Sequence, residues 1–133
     1  VVPVLLAGLP IRIEPGRGPV LDAPIGARSD LVRLRPLDPD ALVPIREAVA
    51  RTVAELGTTP LIGFGGAPFT VAAYLVEGGP SKDQARARAM MHADPEAWAA
   101  LLGWCADITG QFIRAQVEAG ASAAQLFDSW VGS

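Results

Sequence analysis

Cysteine, histidine and aromatic residues are scarce in this sequence. Its 133 residues contain one Cys, Cys105, and one His, His92. A single thiol cannot close an internal disulfide, and no CxxC or His/Cys cluster has the spacing of a metal site. The lack of a disulfide framework fits a reducing compartment. Cys105 reads as a small buried hydrophobe. There is no Lys/Arg-rich run, and the net charge is −3, so the chain lacks the clustered basic excess of a nucleic-acid surface. No apolar stretch reaches the roughly 20 residues that span a bilayer. Val1 to Gly8 is apolar but lacks the basic flank and cleavage signature of a secretion signal.

What remains is globular. Half of the residues are hydrophobic and 19% are charged, enough for one core and too apolar for disorder. Glycine and proline, 14 and 12 residues, punctuate the chain without forming a low-complexity tract. Neither a linker nor an internal repeat is visible. The chain starts without Met and stops just after an apolar segment, at Val131-Gly132-Ser133. We therefore expect residues 1–133 to be part of one larger domain, truncated at both ends.

Val1 to Ala7 fits either a short helix or a strand. Ile11 to Glu14 alternates apolar and polar residues, the period of a half-exposed strand. Pro15 to Pro19 reads as a turn, Val20 to Ile25 as extended chain broken at Pro24, and Asp30 to Leu37 as a connector. Asp38-Pro39 is a helix-start signal. Leu42, Ile45, Val49, Val53 and Leu56 then share one helical face, with a kink or restart expected at Pro44 and a stop at Gly57.

Pro60 to Phe64 reads as a strand buried on both faces. Gly65 to Pro68 is a tight turn, Phe69 to Val76 a helix ending at Gly78-Gly79, and Ser81 the cap of a short helix through about Met91. Asp94-Pro95 starts a long helix with Trp98, Leu101, Leu102, Cys105, Ile108, Phe112 and Val117 near one face, ended by Gly120. Ala123 to Phe127 reads as a second buried strand, followed by a loop at Asp128-Ser129-Trp130. Helical crossovers between buried apolar strands imply a parallel sheet. The fold class is α/β, a partial (β/α)8 barrel covering the N-terminal-to-middle part of one barrel domain.

In parallel α/β folds the loops after strands carry the chemistry. The first such loop, Gly63 to Thr70, is glycine-rich but is neither GxGxxG nor a P-loop. It reads as a structural turn or as a place where backbone approaches an anion. Tyr74 follows it, and either packs with its hydroxyl at the surface or acts in a site. In the second loop, Ser129 is a donor to an anionic ligand, a cap or an exposed hydroxyl; Asp128 carries the same ambiguity. His92 reads as a solvated residue between helices. Glu77, near the first loop, is a lone carboxylate. Trp98, Trp104, Met90 and Met91 have helical spacing and read as core.

Two long motifs are more specific. Leu61-Ile62-Gly63-Phe64-Gly65-Gly66-Ala67-Pro68-Phe69-Thr70, Tyr74-Leu75-Val76-Glu77-Gly78-Gly79 and Ser81-Lys82-Asp83 form the first. Ala115 to Ala121, followed by Gln125-Leu126-Phe127-Asp128-Ser129-Trp130-Val131-Gly132, forms the second. In order and spacing both resemble the uroporphyrinogen decarboxylase family. Val1-Val2-Pro3 and Pro15-Gly16-Arg17-Gly18-Pro19 match the family's preceding segment.

The resemblance implies a cytoplasmic, homodimeric (β/α)8 barrel that uses no metal and no prosthetic group. Its substrate is uroporphyrinogen, whose four acetate side chains become methyls to give coproporphyrinogen. By the same resemblance Tyr74 is the active-site tyrosine, Ser129 contacts substrate, and Phe64 and Phe127 line an apolar cleft floor. The family's aspartate falls just before Val1, its arginine motif further upstream, and its histidine beyond Ser133; His92 does not match it. The resemblance therefore implies that the 133 residues alone do not turn over. Two alternatives stand beside it. One is a corrinoid-dependent methyltransferase of the same barrel, which would need zinc ligands that this sequence does not pair. The other is a non-catalytic scaffold fragment.

Overall fold

The computed structural model describes residues 1–132. Val2–Leu6 forms helix α1, with Pro3 in the first turn, where a missing N–H is harmless. Strands β1 (Ile11–Glu14) and β2 (Gly18–Leu21) form an antiparallel hairpin in which Ile13 faces Pro19. The expected turn is thus shorter than Pro15–Pro19. Proline can sit in a strand at an edge, where no ladder donor is needed.

A 3₁₀ turn at Arg28–Arg33 interrupts the expected connector. Asp30 winds it by accepting from the N–H groups of Gly26 and Ala27 at 2.9 and 3.0 Å. Asp38 caps only a second 3₁₀ turn, Pro39–Leu42, and helix α2 begins at Val43 and runs to Leu56. Pro44 falls in the first turn of α2, so the chain restarts there instead of kinking. The face carrying Ile45, Val49, Val53 and Leu56 is half-buried.

Strand β3 (Ile62–Gly66), helices α3 (Pro68–Glu77), α4 (Ala85–Ala93) and α5 (Pro95–Glu118), and strand β4 (Ala123–Phe127) make one parallel crossover. Ile62 pairs with Ala123 and Gly66 with Phe127. The core is α3 packed on α4 and α5. Leu75 and Val76 meet Ala87, Met90, Leu101, Cys105 and Ile108, with Ile25 and Leu42 closing it from the N-terminal segment. Trp98 and Met90 are buried core residues, and Met91 and Trp104 pack against them.

Three expectations need correction. β3 and β4 are not buried on both faces: α5 covers one face of β3, β4 is exposed along its whole length, and Ile62 (61%), Phe64 (59%) and Phe127 (50%) stand open on the other face. A two-stranded sheet has nothing to lay over its second face; among the described residues the strands form two two-stranded sheets, a mixed α/β arrangement. Ser81 does not cap α4. Its Oγ accepts from Gln84 N, but the helix starts at Ala85, and Glu77 supplies the carboxylate there, accepting from Ala87 N at 3.0 Å. A negative group suits the positive end of a helix. Val117 is exposed because Ala115 and Gln116 take the buried positions at the end of α5.

Two glycine sites decide how the layers meet. A Cβ on Gly63 or Gly65 would lie 3.0–3.2 Å from Gln116, Ile113 or Thr109 of α5, so glycine there lets the helix lie flat on β3. Gly78 ends α3 at φ +77°, and its Cβ would sit 2.8 Å from Pro24. That close contact brings Leu21 N onto Gly78 O and Ile25 N onto Leu75 O, at 2.9 and 3.0 Å. The hairpin is thereby fastened to the end of α3.

Candidate active-site face

The C-terminal ends of β3 and β4 lie side by side, tied by Ala67 N donating to Phe127 O at 2.8 Å. Parallel pairing points the side chains of paired residues to the same face. Phe64, paired with Gln125, and Phe127, paired with Gly66, therefore emerge on the open face. Their rings meet edge to face with centroids 6.2 Å apart. The two phenylalanines named from the sequence are thus brought together on an uncovered apolar surface.

Tyr74 comes from the second turn of α3 and is half-buried. Its ring stacks on Trp130 from the turn after β4, and its hydroxyl donates to Pro19 O of the hairpin. Burial raises the Tyr74 pKa, and the Arg17 guanidinium opposes that shift. The donor is engaged, so the phenol oxygen can offer only its acceptor side to a ligand. Ser129 lies exposed in the β4 turn. Asp128 accepts from Thr70 Oγ1 at 2.8 Å, and Trp130 N donates to the same oxygen at 3.3 Å.

Tyr74 and Ser129 are therefore linked through the turn that carries Trp130. Sequence reasoning missed Thr70, Trp130 and Arg17 as neighbours of this face. All three lie inside the quoted motifs, but contacts across 56 to 60 positions leave no local periodicity to read. His92 is not in a connector as expected; it lies exposed in the last turn of α4. Among the described residues no three His, Cys, Asp or Glu side chains converge. No helix among them is long and apolar enough to cross a membrane.

The chain is similar to known proteins over its whole length. It matches the family described as Uroporphyrinogen decarboxylase (URO-D) over residues 1–133. The uroporphyrinogen decarboxylase of Arthrobacter sp. (strain FB24) is 62% identical over 133 residues, which is 100% of this chain and 39% of that protein. That of Leifsonia xyli subsp. xyli (strain CTCB07) is 60% identical over 138 residues, 100% of this chain and 37% of that protein. That of Streptomyces griseus subsp. griseus is 56% identical over 133 residues, 100% and 36%. The chain thus spans less than two-fifths of the curated relatives it matches. Because the match runs the full length of these 133 residues, the chain belongs to the uroporphyrinogen decarboxylase family.

Proposed function

We propose that these residues are a segment of a uroporphyrinogen decarboxylase, and that the face built by β3, α3 and the β4 turn is part of its substrate cleft. One observation supports this reading: Phe64 and Phe127 meet on the open face of one parallel pair, and Tyr74 stacks on Trp130, the neighbour of Ser129 in the turn that follows β4. In the whole protein the open face of β3 and β4 would line the inside of a (β/α)8 barrel, as one part of a single domain. The protein would be a cytoplasmic homodimer, and its reaction would need no metal and no prosthetic group.

The chemistry asks for an electron sink. Protonating the ring carbon beside an acetate side chain makes the pyrrole cationic. The electrons of the breaking C–C bond then flow into the ring, and CO2 leaves. A proton added to the exocyclic methylene carbon then gives the methyl group, and the ring carbon gives up the proton it took, which restores the pyrrole; each acetate thus takes up one proton net and releases one CO2. Phe64 and Phe127 offer an apolar surface to the macrocycle. Tyr74 offers a phenol oxygen held in place by Pro19 and Trp130. Ser129 offers a free donor to a side-chain carboxylate. The aspartate that would stabilise the cation, the arginines that would hold carboxylates and the family histidine have no counterpart at matching positions here.

The test is anaerobic incubation with uroporphyrinogen followed by chromatography of the products. The full-length protein should yield heptacarboxylate intermediates and coproporphyrinogen; the 133 residues alone should leave the substrate intact. A folded full-length protein that leaves it intact would overturn the reading.

A further inference from the structure

We infer that Thr70 is a positioning residue: its hydroxyl sets the turn that carries Ser129 and lays Trp130 on Tyr74. A hydroxyl has one proton and two acceptor sites, and Thr70 uses both kinds. Oγ1 gives its proton to Asp128 Oδ1 at 2.8 Å and accepts from Trp130 N at 3.3 Å. Asp128 and Trp130 are the two neighbours of Ser129. One atom on α3 therefore holds the chain on both sides of a residue whose own hydroxyl has no partner among the described residues.

Thr70 and Tyr74 are four residues apart on α3, so they share a face of that helix. The turn after β4 crosses this face, touching Thr70 through the Trp130 backbone and Tyr74 through the indole. Removing the hydroxyl would take away the bonds by which α3 holds the Asp128 carboxylate and the Trp130 N–H. That change loosens placement more than it loosens the core, because Thr70 lies outside the buried cluster.

The kinetic half of this inference rests on the proposed decarboxylation; the spectroscopic half does not. In the full-length protein, Thr70→Val keeps the shape and removes the hydroxyl, and Thr70→Ser keeps the hydroxyl. Fluorine NMR of fluorotryptophan-labelled protein reads the indole, with the Trp130 resonance identified by its loss in Trp130→Phe. Thr70→Val should shift that resonance and lower kcat on uroporphyrinogen by roughly ten- to a hundred-fold, as a misplaced active-site group does, with a smaller change in KM. Thr70→Ser should restore both. Should Thr70→Val not fold, Thr70→Ala is read against Thr70→Ser in the same way.

An unmoved resonance without the hydroxyl overturns the inference. So does a moved resonance with unchanged kcat, or a serine variant that restores neither. If the wild-type protein leaves uroporphyrinogen intact, the decarboxylase reading fails, and the Trp130 resonance alone then decides whether Thr70 holds the turn.

Discussion

The ring of Tyr74 lies flat on the indole of Trp130, with centroids 5.4 Å apart and planes 2° from parallel. Tyr74 is the only tyrosine among the 133 residues, so tyrosinate absorbance of this chain reads its hydroxyl directly. Burial favours the neutral phenol, and Arg17 favours the phenolate. Tyr74 should therefore titrate above the usual value near 10, and Arg17→Met should move it higher. The folded form then holds its proton more tightly than the unfolded form. Stability should fall as pH rises from about 10 through the folded pKa. A titration at or below the free-tyrosine value, or a downward shift in Arg17→Met, would contradict this placement.

Gln116 supports β3 from α5. Alternate residues of β3 pair with β4, which leaves the Phe64 N–H and C=O pointing away from it. The Gln116 side chain meets both: Oε1 accepts from Phe64 N at 3.0 Å, and Nε2 donates to Phe64 O at 2.9 Å. Gln116→Leu keeps the bulk and deserts both groups. It should cost about 1–3 kcal/mol in urea unfolding and speed hydrogen exchange at the Phe64 amide. Exchange unchanged from wild type would show that Gln116 does not hold this strand.

Cys105 is fully buried in the core, and burial pushes its thiol up to about 12. Thiolate is the reactive form. The folded chain should therefore resist a thiol reagent near neutral pH and react fully once unfolded by denaturant. Rapid labelling of the folded chain would place the thiol at the surface. Cys105→Ser, which puts a hydroxyl among aliphatic side chains, should lower stability by about 1–3 kcal/mol.

Local signals were legible in the sequence, and contacts at distance were not. Asp94-Pro95 marked the start of α5 because a cap and a first-turn proline act within four residues: Asp94 accepts from Ala97 N at 3.1 Å. The Trp98, Leu101, Cys105, Ile108 and Phe112 stripe followed from helical spacing alone, and all five are buried. Ser81 misled because a serine ahead of a helix can cap it or only shape the turn before it. The choice fell to Glu77, ten residues from its Ala87 partner. Apolar composition suggested that β3 and β4 were doubly buried, but composition cannot say how many layers cover a strand. Of the candidate site, Tyr74 and Ser129 were named by resemblance. Thr70 meets the Trp130 turn only when β4 is laid beside β3, and Pro19 meets Tyr74 only when the hairpin docks on the end of α3.

Arg28 clamps the connector to the start of α5. Its Nε and one terminal nitrogen donate to the two carboxylate oxygens of Asp94, at 2.9 and 2.6 Å, and the same terminal nitrogen reaches Glu96 at 3.0 Å. Paired donors on a carboxylate are stronger than single ones. The Arg28 guanidinium and the Ala97 N–H hold the Asp94 carboxyl below its usual range. Because the folded pKa is depressed, the stabilisation is complete above the unfolded value near 4 and is lost as pH falls through the folded value. Asp94→Asn keeps a capping oxygen but gives up the charge. Thermal melts should therefore separate the wild type from Asp94→Asn at about pH 7 and bring them together only as pH falls below the depressed folded value of Asp94. Added salt should narrow the neutral-pH gap, since the pair is partly exposed. Asp94→Ala removes the cap as well, so its deficit should persist in acid. A wild-type advantage over Asp94→Asn that survives full protonation would mean that Asp94 acts on α5 by shape alone and that Arg28 contributes nothing to its hold.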